Sequence, residues 1–436
     1  MKLASQQSPK LLFRVRVAAS LQFFTMKPVL LTFDGRFSSN HKDKPCFVLD
    51  TSTRYDFIFV PIDSSISPFI TTNTILEKLK KDKRKVNGVL AFSDIQSIVA
   101  SLIAEKLGLT GPKPESLYRS LQKEVFNNML VNVNSHQPET YIINLKNTKE
   151  LPPVSYPAFL RTIRAAGSRY AYMIKSSEEL IKLCKKLKNT KRPDLIYYDH
   201  FFNLFESLPR KTEDYYLLQA FIVGKQYTVD GYLYKGKLGI FGYTETIYSD
   251  NRQSFVRFDF PAHLSDSKRA DIEMMLGKII ESTGYDNGGF NVEFFIRPDG
   301  SVIIIEFNAR ISGQFIPLFD QYYEGTVVDV LCKIALGQTP VLIKKNKPLC
   351  ASSFPLRVWN DHFIRMVPTK QHLDELKKMP GVLGIDIPIK AGKRLSEYSN
   401  DVYSYKYGVV DIAGCDLPEI LARFNYLKDN LGVVFD

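Results

Sequence analysis

The chain contains few of the residues that build the commonest metal and covalent-catalysis sites. Six histidines occur in 436 residues, and none of them forms an HxxxH or HExxH pattern. Five cysteines are scattered without a CxxC pair, namely Cys46, Cys184, Cys332, Cys350 and Cys415. This spacing argues against a zinc site and a disulfide framework, and it suits a reducing compartment, so we expect a cytoplasmic protein. No Ser-His-Asp or Cys-His arrangement marks a side-chain nucleophile.

Long apolar runs and targeting signals are also lacking. No stretch is long enough for a transmembrane helix, so we expect no membrane partner. Residues 1–25 carry four cationic side chains and no acidic one, and arginines interrupt their apolar part. That pattern argues against a secretory signal. This leader is an extension, a transit-like segment or an upstream start artefact, and the sequence leaves the three alternatives open.

The composition is that of a globular protein with excess positive charge. Apolar residues make up 44% of the chain, which argues against disorder, and the length predicts two to four domains. The net charge of +12 favours anionic ligands such as nucleotides. Nucleic acid would also fit the charge, but no RNP-like motif or zinc finger supports it, so we do not expect a nucleic-acid partner.

Residues 26–112 alternate between strand and helix patterns. Apolar runs predict strands over 28–33, 56–62 and 88–92. An apolar stripe over 95–107, followed by Gly108, predicts a helix. Such alternation indicates a small parallel α/β domain. Its first strand–helix turn contains only Gly35, so it lacks a dinucleotide fingerprint.

The patterns change after this first domain. Residues 113–132 are predicted to be helical and to carry Lys123. A strand-rich module follows, with predicted strands over 156–163, 215–223 and 226–234. A helix over 267–283 is predicted next. Prolines after Gly337 suggest a separate, loop-rich C-terminal lobe.

The most informative segment is 288–314, which reads GGFNVEFFIRPDGSVIIIEFNARISGQ. Asp299-Gly300 is a hairpin turn signal between two apolar runs. With Pro298 opposite Ser301, Glu293 lies opposite Glu306 and Asn291 opposite Asn308, all on one face. The other face is predicted to meet the core through Phe294, Ile296, Ile303, Ile305 and Phe307.

Two facing carboxylates repel each other and call for a cation. Mg²⁺ is suited because it takes carboxylate oxygens together with substrate phosphates. Arg310 would extend the same face and could hold a phosphate or a carboxylate. The alternative is an exposed hairpin with two solvated glutamates.

The order of these features resembles the ATP-grasp superfamily over residues 85–340. A lysine follows Gly-Leu-Thr-Gly-Pro, a basic residue on a strand precedes a small-residue loop, and the acidic hairpin ends in Glu-Phe-Asn-Ala-Arg. The resemblance implies an α/β and α+β chain with the ATP-grasp fold. Its parts would be a Rossmann-like pre-ATP-grasp domain at 26–112, an ATP-grasp domain at 113–340 with a lid at about 155–225, and a C-terminal α+β lobe at 341–436.

The resemblance also implies roles for individual residues. The Mg²⁺ ligands, with Mn²⁺ as an alternative metal, would be Glu293, Glu306 and Asn308. Arg310 would be catalytic and steady the transferring phosphoryl group. Lys123 and Arg161 would contact the phosphates of ATP, and Gly167 and Ser168 would form the loop that covers them. The hinge that meets adenine would be Gln219, Ala220, Phe221 and Ile222. Gln226 would contact the ribose.

Four positions depart from the family pattern. Arg161 stands in place of a lysine, and Thr162 in place of the proline after it. Gln122 and Gln219 stand where acidic residues are frequent. Arginine keeps the charge but not the compact geometry of an ammonium. The predicted metal face is unchanged, which argues against a decayed enzyme.

Within the superfamily, the chain resembles carboxylate–amine ligases of the L-amino acid ligase and carnosine-synthase type. Arg310 is followed by Ile-Ser-Gly-Gln rather than by the segment typical of biotin-dependent carboxylases. The resemblance implies amide formation through an acyl-phosphate, with small carboxylates and amines as substrates and a homodimer as a common assembly. The alternatives are a non-catalytic nucleotide-binding protein and a biotin-carboxylase-like enzyme.

Overall fold

The N-terminal part of the molecule is a small parallel α/β unit, as predicted. The computed structural model describes residues 27–38, 51–133, 136–147, 151–164, 170–192, 195–207, 212–250, 254–398 and 403–436. Strands β1 (Val29–Thr32), β2 (Asp56–Phe59) and β3 (Val86–Leu90) form a parallel sheet in the order β2-β1-β3. Helices α1 (Pro68–Lys81) and α2 (Asp94–Leu107) pack beside it. Ser93 caps α2, because its hydroxyl accepts from the backbone N–H of Gln96.

The helix predicted over 113–132 is two helices. Helix α3 (Pro114–Leu121) ends at Gln122, whose backbone is extended, and α4 (Lys123–Val133) begins at the next residue. The Gln122 side-chain oxygen accepts from the backbone N–H groups of Glu124, at 2.7 Å, and Val125, at 3.1 Å. It therefore satisfies two of the unpaired donors at the start of α4. Lys123 consequently lies in the first turn of a helix rather than within one.

A four-stranded antiparallel sheet contains the strands of the predicted lid, at about 155–225, and one strand that precedes it in the chain. Its strands are β4 (Thr140–Asn144), β5 (Ala158–Thr162), β6 (Ala171–Ile174) and β7 (Tyr215–Ala220), in the order β4-β7-β5-β6. Helix α5 (Ser177–Lys188) packs Leu180, Cys184 and Leu187 against one face of this sheet. Helix α6 (Ile196–Phe202) lies between β6 and β7 in the chain. The lid thus has its own small core.

An eight-stranded antiparallel sheet is the centre of the molecule, and its first five strands line the site. They are β8 (Lys225–Tyr234), β9 (Lys237–Tyr248), β10 (Phe255–Phe260), β11 (Gly288–Ile296) and β12 (Val302–Asn308). Helix α7 (Asp266–Thr283) packs with α3 and α4 against one face of β11 and β12. That face buries Val292, Phe294 and Phe307, so the residues between them point to the other face.

The C-terminal segment has a hydrophobic core of its own and also adds strands to this sheet. Helices α8 (Ile316–Phe319) and α9 (Val327–Ala335) are followed by β13 (Cys350–Val358), β14 (Ile364–Met366), α10 (Lys370–Leu376), β15 (Val382–Asp386), β16 (Tyr405–Gly414), α11 (Leu417–Asn430) and β17 (Val434–Phe435). Strand β13 pairs with β10, which gives the order β12-β11-β8-β9-β10-β13-β16-β15. The many prolines did not reveal this long-range pairing. Among the described helices, none combines the length and apolarity needed to cross a membrane.

The acidic hairpin pairs Glu293 with Glu306 and Asn291 with Asn308, as predicted. The turn itself is one position different, because Arg297 rather than Pro298 bonds to Ser301, with an N···O distance of 2.9 Å. A bulge in β12 restores the predicted register at the glutamates.

The bulge also changes which side chains of the hairpin point to the core. Ile304 joins the main core, and Ile305 lines the cleft beside Glu306. The core position predicted for Ile305 is therefore wrong. The reason is that alternation of side chains along a strand shifts by one residue at a bulge.

The part of the sheet formed by β13 and β16 buries a carboxyl group. Asp411 pairs with Ser353 and is half-buried, with one carboxyl oxygen enclosed, and burial raises its pKa from 3.8 to about 7. Ser353 and Lys406 oppose this shift, whereas Asp386 adds to it. Between pH 4 and 7 the unfolded chain therefore releases a proton that the folded chain retains. Folding stability falls as the pH rises through this window.

We predict that Asp411→Asn stabilises the protein at pH 8 and has little effect at pH 4. The amide cannot ionise, so the free-energy cost of burying the charge disappears. A rise of the pKa from 3.8 to about 7 corresponds to a cost on the order of a few kcal/mol. Urea denaturation at both pH values measures the difference. Asp429→Asn, at an exposed position on α11, is the control and should change stability equally little at both. Equal effects of Asp411→Asn at pH 4 and pH 8 would contradict the buried-charge explanation.

Candidate functional site

A cleft of about 420 Å³ lies between the lid sheet and the central sheet. Every predicted site residue within the described ranges lines it, namely Lys123, Arg161, Gln219, Ala220, Phe221, Ile222, Gln226, Glu293, Glu306, Asn308 and Arg310. Gly167 and Ser168 lie outside the described residues. Residues from β5, β7, α4 and the acidic hairpin, which are far apart in the chain, therefore meet in one place.

The carboxylate pair forms the floor of the cleft and meets two cations. Lys123 Nζ lies 2.8 Å from one oxygen of Glu306, and an Arg161 terminal nitrogen lies 3.6 Å from the other. Lys123 comes from α4 and Arg161 from β5, so the compensating charges come from outside the hairpin. The sequence called for a cation at this pair, and in this structure the two side chains supply part of that charge.

The two glutamates differ in their protonation behaviour. Burial, and then the charge of Glu306, raise the pKa of Glu293 above its ordinary value. Burial acts in the same direction on Glu306, but Lys123 and Arg161 outweigh it and lower the pKa of Glu306 below its ordinary value. Glu293 receives a 3.0 Å hydrogen bond from the Gln226 amide, and the charges of Arg310, Arg161 and Lys123 do not outweigh the effects of burial and of Glu306 on its pKa. The pair as a whole is thus suited to bind further positive charge.

A chain of amides fixes the orientation of Asn308. Its amide nitrogen donates to the Asn291 side-chain oxygen at 3.1 Å, and the Asn291 nitrogen donates to Asp230 at 2.7 Å. The other Asp230 oxygen accepts from the Ser312 backbone N–H at 2.6 Å. Because the carboxylate accepts both bonds, the amides are ordered in one direction, and the Asn308 side-chain oxygen is left to face the cleft.

Asp230 is a site residue that the sequence reasoning missed. It lies on β8 directly beside Asn291 and is fully buried. Burial raises its pKa to about 7, although the bonds from Ser312 and Asn291 and the charge of Arg310 oppose the shift. A carboxylate in the middle of a predicted strand was the available signal, but its role becomes clear only when β8 is paired with β11.

Arg310 is held by a residue of the N-terminal unit. Its Nε lies 3.1 Å from an oxygen of Asp94, which stands at the first position of α2 and is 5% exposed. Strand β12 ends at Asn308, so Arg310 is not placed by the regular alternation of that strand. The contact with Asp94 crosses 216 positions of the chain (310 − 94), and no local pattern predicted it. Arg310 also lines the cleft, so Asp94 holds a residue of the site.

The hinge and Gln226 are placed less simply than the resemblance implied. The backbone N–H groups of Ala220 and Phe221 donate to the backbone oxygens of Glu139 and Pro157. The adenine contact of this segment stays a prediction. Gln226, expected at the ribose, instead bonds to Glu293 and to the Tyr248 hydroxyl. Its ribose contact stays a prediction.

Gln122, one of the departures from the family pattern, has a structural explanation. Its oxygen caps α4, while its nitrogen donates to Glu206 at 3.1 Å. Glu206 is also paired with Arg164, which is fully buried and reaches Asp199 at 2.9 Å. An acidic residue at position 122 could cap the helix but would place a second carboxylate against Glu206. An amide is thus the side chain that satisfies both neighbours.

We predict that Gln122→Glu destabilises the fold more at pH 8 than at pH 5. The glutamate keeps the capping oxygen, but its ionised form repels Glu206, at a cost of about 1–3 kcal/mol. Urea denaturation at the two pH values is the measurement. Gln338→Glu, at an exposed position after α9, serves as the control. If Gln122→Glu has the stability of the wild type at pH 8, the contact with Glu206 does not determine the residue at this position.

Comparisons with known proteins agree with this geometry. Residues 154–317 match the model of the ATP-grasp domain family. No curated protein sequence gives a significant match. Among solved structures, the L-amino acid ligase from Bacillus licheniformis is similar with a TM-score of 0.74 and 14% identity, covering 94% of this chain and 99% of that chain.

Two further solved structures have the same architecture. Phosphoribosylglycinamide synthetase from Anaerococcus prevotii has a TM-score of 0.63 and 15% identity, over 94% of this chain and 100% of that one. The biotin carboxylase domain of 2-oxoglutarate carboxylase from Hydrogenobacter thermophilus, solved with MgADP, ADP and bicarbonate, has a TM-score of 0.59 and 15% identity, over 94% and 91%. The chain therefore has the ATP-grasp fold. Residues 154–317 match the ATP-grasp domain family, and the fold predicted from the sequence is confirmed.

Proposed function

We propose that this protein is an ATP-dependent ligase that joins an amino acid or a similar carboxylate to an amine. The observation that carries the proposal is the facing pair Glu293 and Glu306 in a cleft that also contains Lys123, Arg161 and Arg310. Two acids and three cations around one space suit the binding and transfer of a phosphoryl group. The similarity to an L-amino acid ligase over almost the whole of both chains adds support.

The donor set fits a magnesium ion bound with nucleotide phosphates. Glu293, Glu306 and Asn308 would be the protein ligands, since they offer carboxylate and amide oxygens on one face, and Mn²⁺ is an alternative. Within the described residues no group of three or more His, Cys, Asp or Glu could hold a metal, so phosphate oxygens would complete the set. When bound, the ion supplies neutralisation of the phosphate charge.

The protein side chains would act mainly by positioning and charge. Lys123 and Arg161 would bind phosphate oxygens beside Glu306, and Gly167 and Ser168 would cover the phosphates. The backbone of 219–222 would meet adenine, and Gln226 the ribose. Arg310, oriented by Asp94, would stabilise the charge on the transferring phosphoryl group and on the acyl-phosphate.

The proposed reaction has two balanced steps. A carboxylate oxygen bonds to the γ-phosphorus of ATP as the bond to the β-phosphate oxygen breaks, which releases ADP. The unprotonated amine then bonds to the acyl carbon as the carbon–oxygen bond to phosphate breaks, and phosphate leaves with the proton that the nitrogen loses. No side-chain nucleophile is needed. Phosphorylation is required because oxide is otherwise the leaving group.

The remaining assignments follow from the same proposal. The working boundaries are a pre-ATP-grasp domain at 26–112, an ATP-grasp domain at 113–340 with a lid at about 155–225, and a C-terminal part at 341–436. Small carboxylates and amines would be the partners, the assembly a homodimer and the location cytoplasmic. The pairing of β10 with β13 means that the last two parts share one sheet.

We predict that the protein forms acyl-phosphates and that Glu306→Gln abolishes their formation. With Mg·ATP, pooled carboxylic acids and hydroxylamine, the wild type should release phosphate and form hydroxamates, because hydroxylamine captures an acyl-phosphate. The neutral amide of Glu306→Gln loses a metal ligand and the partner of Lys123, so turnover should fall by about 100-fold or more. Chelation of the metal with EDTA should have the same effect.

Glu281→Gln, an exposed position on α7, is the matched control and should leave hydroxamate formation unchanged. Wild-type turnover in Glu306→Gln would refute the metal assignment. Calorimetric binding of Mg·ATP without hydroxamate from any acid would refute ligase activity and favour a non-catalytic nucleotide-binding protein.

A further inference from the structure

The cleft contains a fourth cation that the phosphoryl-transfer residues do not include. Arg357 lies on β13 and lines the cleft. Its Nε donates to the backbone oxygen of Phe255 at 2.8 Å, and a terminal nitrogen donates to the Ser404 hydroxyl at 2.7 Å. The Ser404 hydroxyl also meets the buried Ser254 hydroxyl at 3.0 Å. These contacts hold the guanidinium at a defined place on the wall.

An aromatic wall leads from Arg357 towards the acidic hairpin. Tyr248, Phe255, Phe258 and Phe315 all line the cleft. Their ring centroids form a continuous series, with Tyr248–Phe255 at 5.0 Å, Phe255–Phe258 at 5.6 Å and Phe258–Phe315 at 5.0 Å. Such a surface suits an apolar side chain of a substrate.

The segment after Arg310 connects the two ends of this wall. Phe315 packs on Phe258 of β10, and the Gln314 amide donates to Ser353 of β13 at 2.9 Å. The chain from 311 to 315 therefore crosses from the acidic hairpin to the strand that carries Arg357. As a result, one continuous cleft has Arg310 near the glutamates and Arg357 on the far strand.

The charges of the lining favour an anion at the far end. Among the described lining residues the acids are Glu293 and Glu306, which would hold the metal, while the cations are Lys123, Arg161, Arg310 and Arg357. The first three cations are assigned to phosphate and acyl-phosphate oxygens. Among the described lining residues, no further carboxylate is present to bind an ammonium group of a substrate. A carboxylate of a substrate, in contrast, could bind to the guanidinium of Arg357.

We propose that Arg357 and the aromatic wall form the acceptor subsite, and that the acceptor is an amino acid with an apolar side chain. This inference rests on the proposed ligase function. An acceptor with its own carboxylate has two reactive ends, and its carboxylate must be kept away from phosphoryl transfer. Arg357 binds that carboxylate on the far strand, and the amine is thereby directed to the acyl-phosphate beside Arg310.

The test compares acceptors that differ only in the carboxylate. With the donor acid found in the hydroxylamine assay, amide formation is measured with L-phenylalanine and with L-phenylalaninamide. The wild type should have the lower KM for L-phenylalanine. In Arg357→Met, the KM for L-phenylalanine should rise by about 10- to 100-fold, because a charge-assisted hydrogen bond is lost, while the KM for L-phenylalaninamide changes little. Arg357→Lys should recover part of the loss.

Arg365→Met, which removes an exposed arginine on β14, is the matched control and should alter neither KM. The proposal is overturned if the wild type has the same KM for both acceptors. It is also overturned if Arg357→Met raises the KM of the donor acid in the hydroxylamine assay, because the subsite would then bind the donor. Absence of hydroxamate in the wild type is a different result, since it contradicts the ligase function itself.

Discussion

The repulsion between Glu293 and Glu306 is the interaction on which the arrangement of the site depends. Adjacent antiparallel strands place the two carboxylates side by side, and burial increases the cost of having both ionised. Cations from two other elements offset this repulsion, namely Lys123 at the start of α4 and Arg161 on the lid strand β5. These cations do not fully offset the negative charge at Glu293. A remaining negative charge is expected of a carboxylate pair that binds a metal ion. The same charges that stabilise the apo-protein are therefore the ones proposed to bind Mg·ATP.

Other elements of the fold serve to place these few side chains. The Gln122 cap fixes the beginning of α4 and hence Lys123, and the buried Arg164 ties that cap to the lid. Asp230 orders Asn291 and Asn308, and Asp94 holds Arg310. Each of these supports lies on a different segment of the chain. The substrate end of the cleft follows the same plan, because β10, β13 and the segment after Arg310 share one wall.

The hairpin shows how far the sequence could predict the site and where it could not. Alternation and the Asp-Gly turn placed the glutamates opposite each other, and the structure agrees. The turn register was off by one, and the bulge in β12 offset that difference, so Ile305 lines the cleft although it was expected in the core. A bulge depends on how both strands pack against their neighbours, so the periodic pattern of one strand does not predict its position. The helix predicted over 113–132 is interrupted at Gln122, whose side-chain oxygen caps α4 while its nitrogen bonds to Glu206, which lies 84 positions away in the chain.

By itself the sequence determined the local features of this protein, which are the parallel strands and helices of the N-terminal unit, the acidic hairpin and the order of cationic and acidic residues. The strands, helices and hairpin depend on periodicity and on spacing between near neighbours. The ATP-grasp fold was predicted from the resemblance that the order of these features bears to a known family. Only the tertiary structure decided that Asp94 orients Arg310, that Asp230 orders the amides, and that β13 joins the central sheet and brings Arg357 into the cleft. Those contacts join residues more than 50 positions apart. Their energies depend on distance and burial in the folded state, which the order of residues along the chain does not specify.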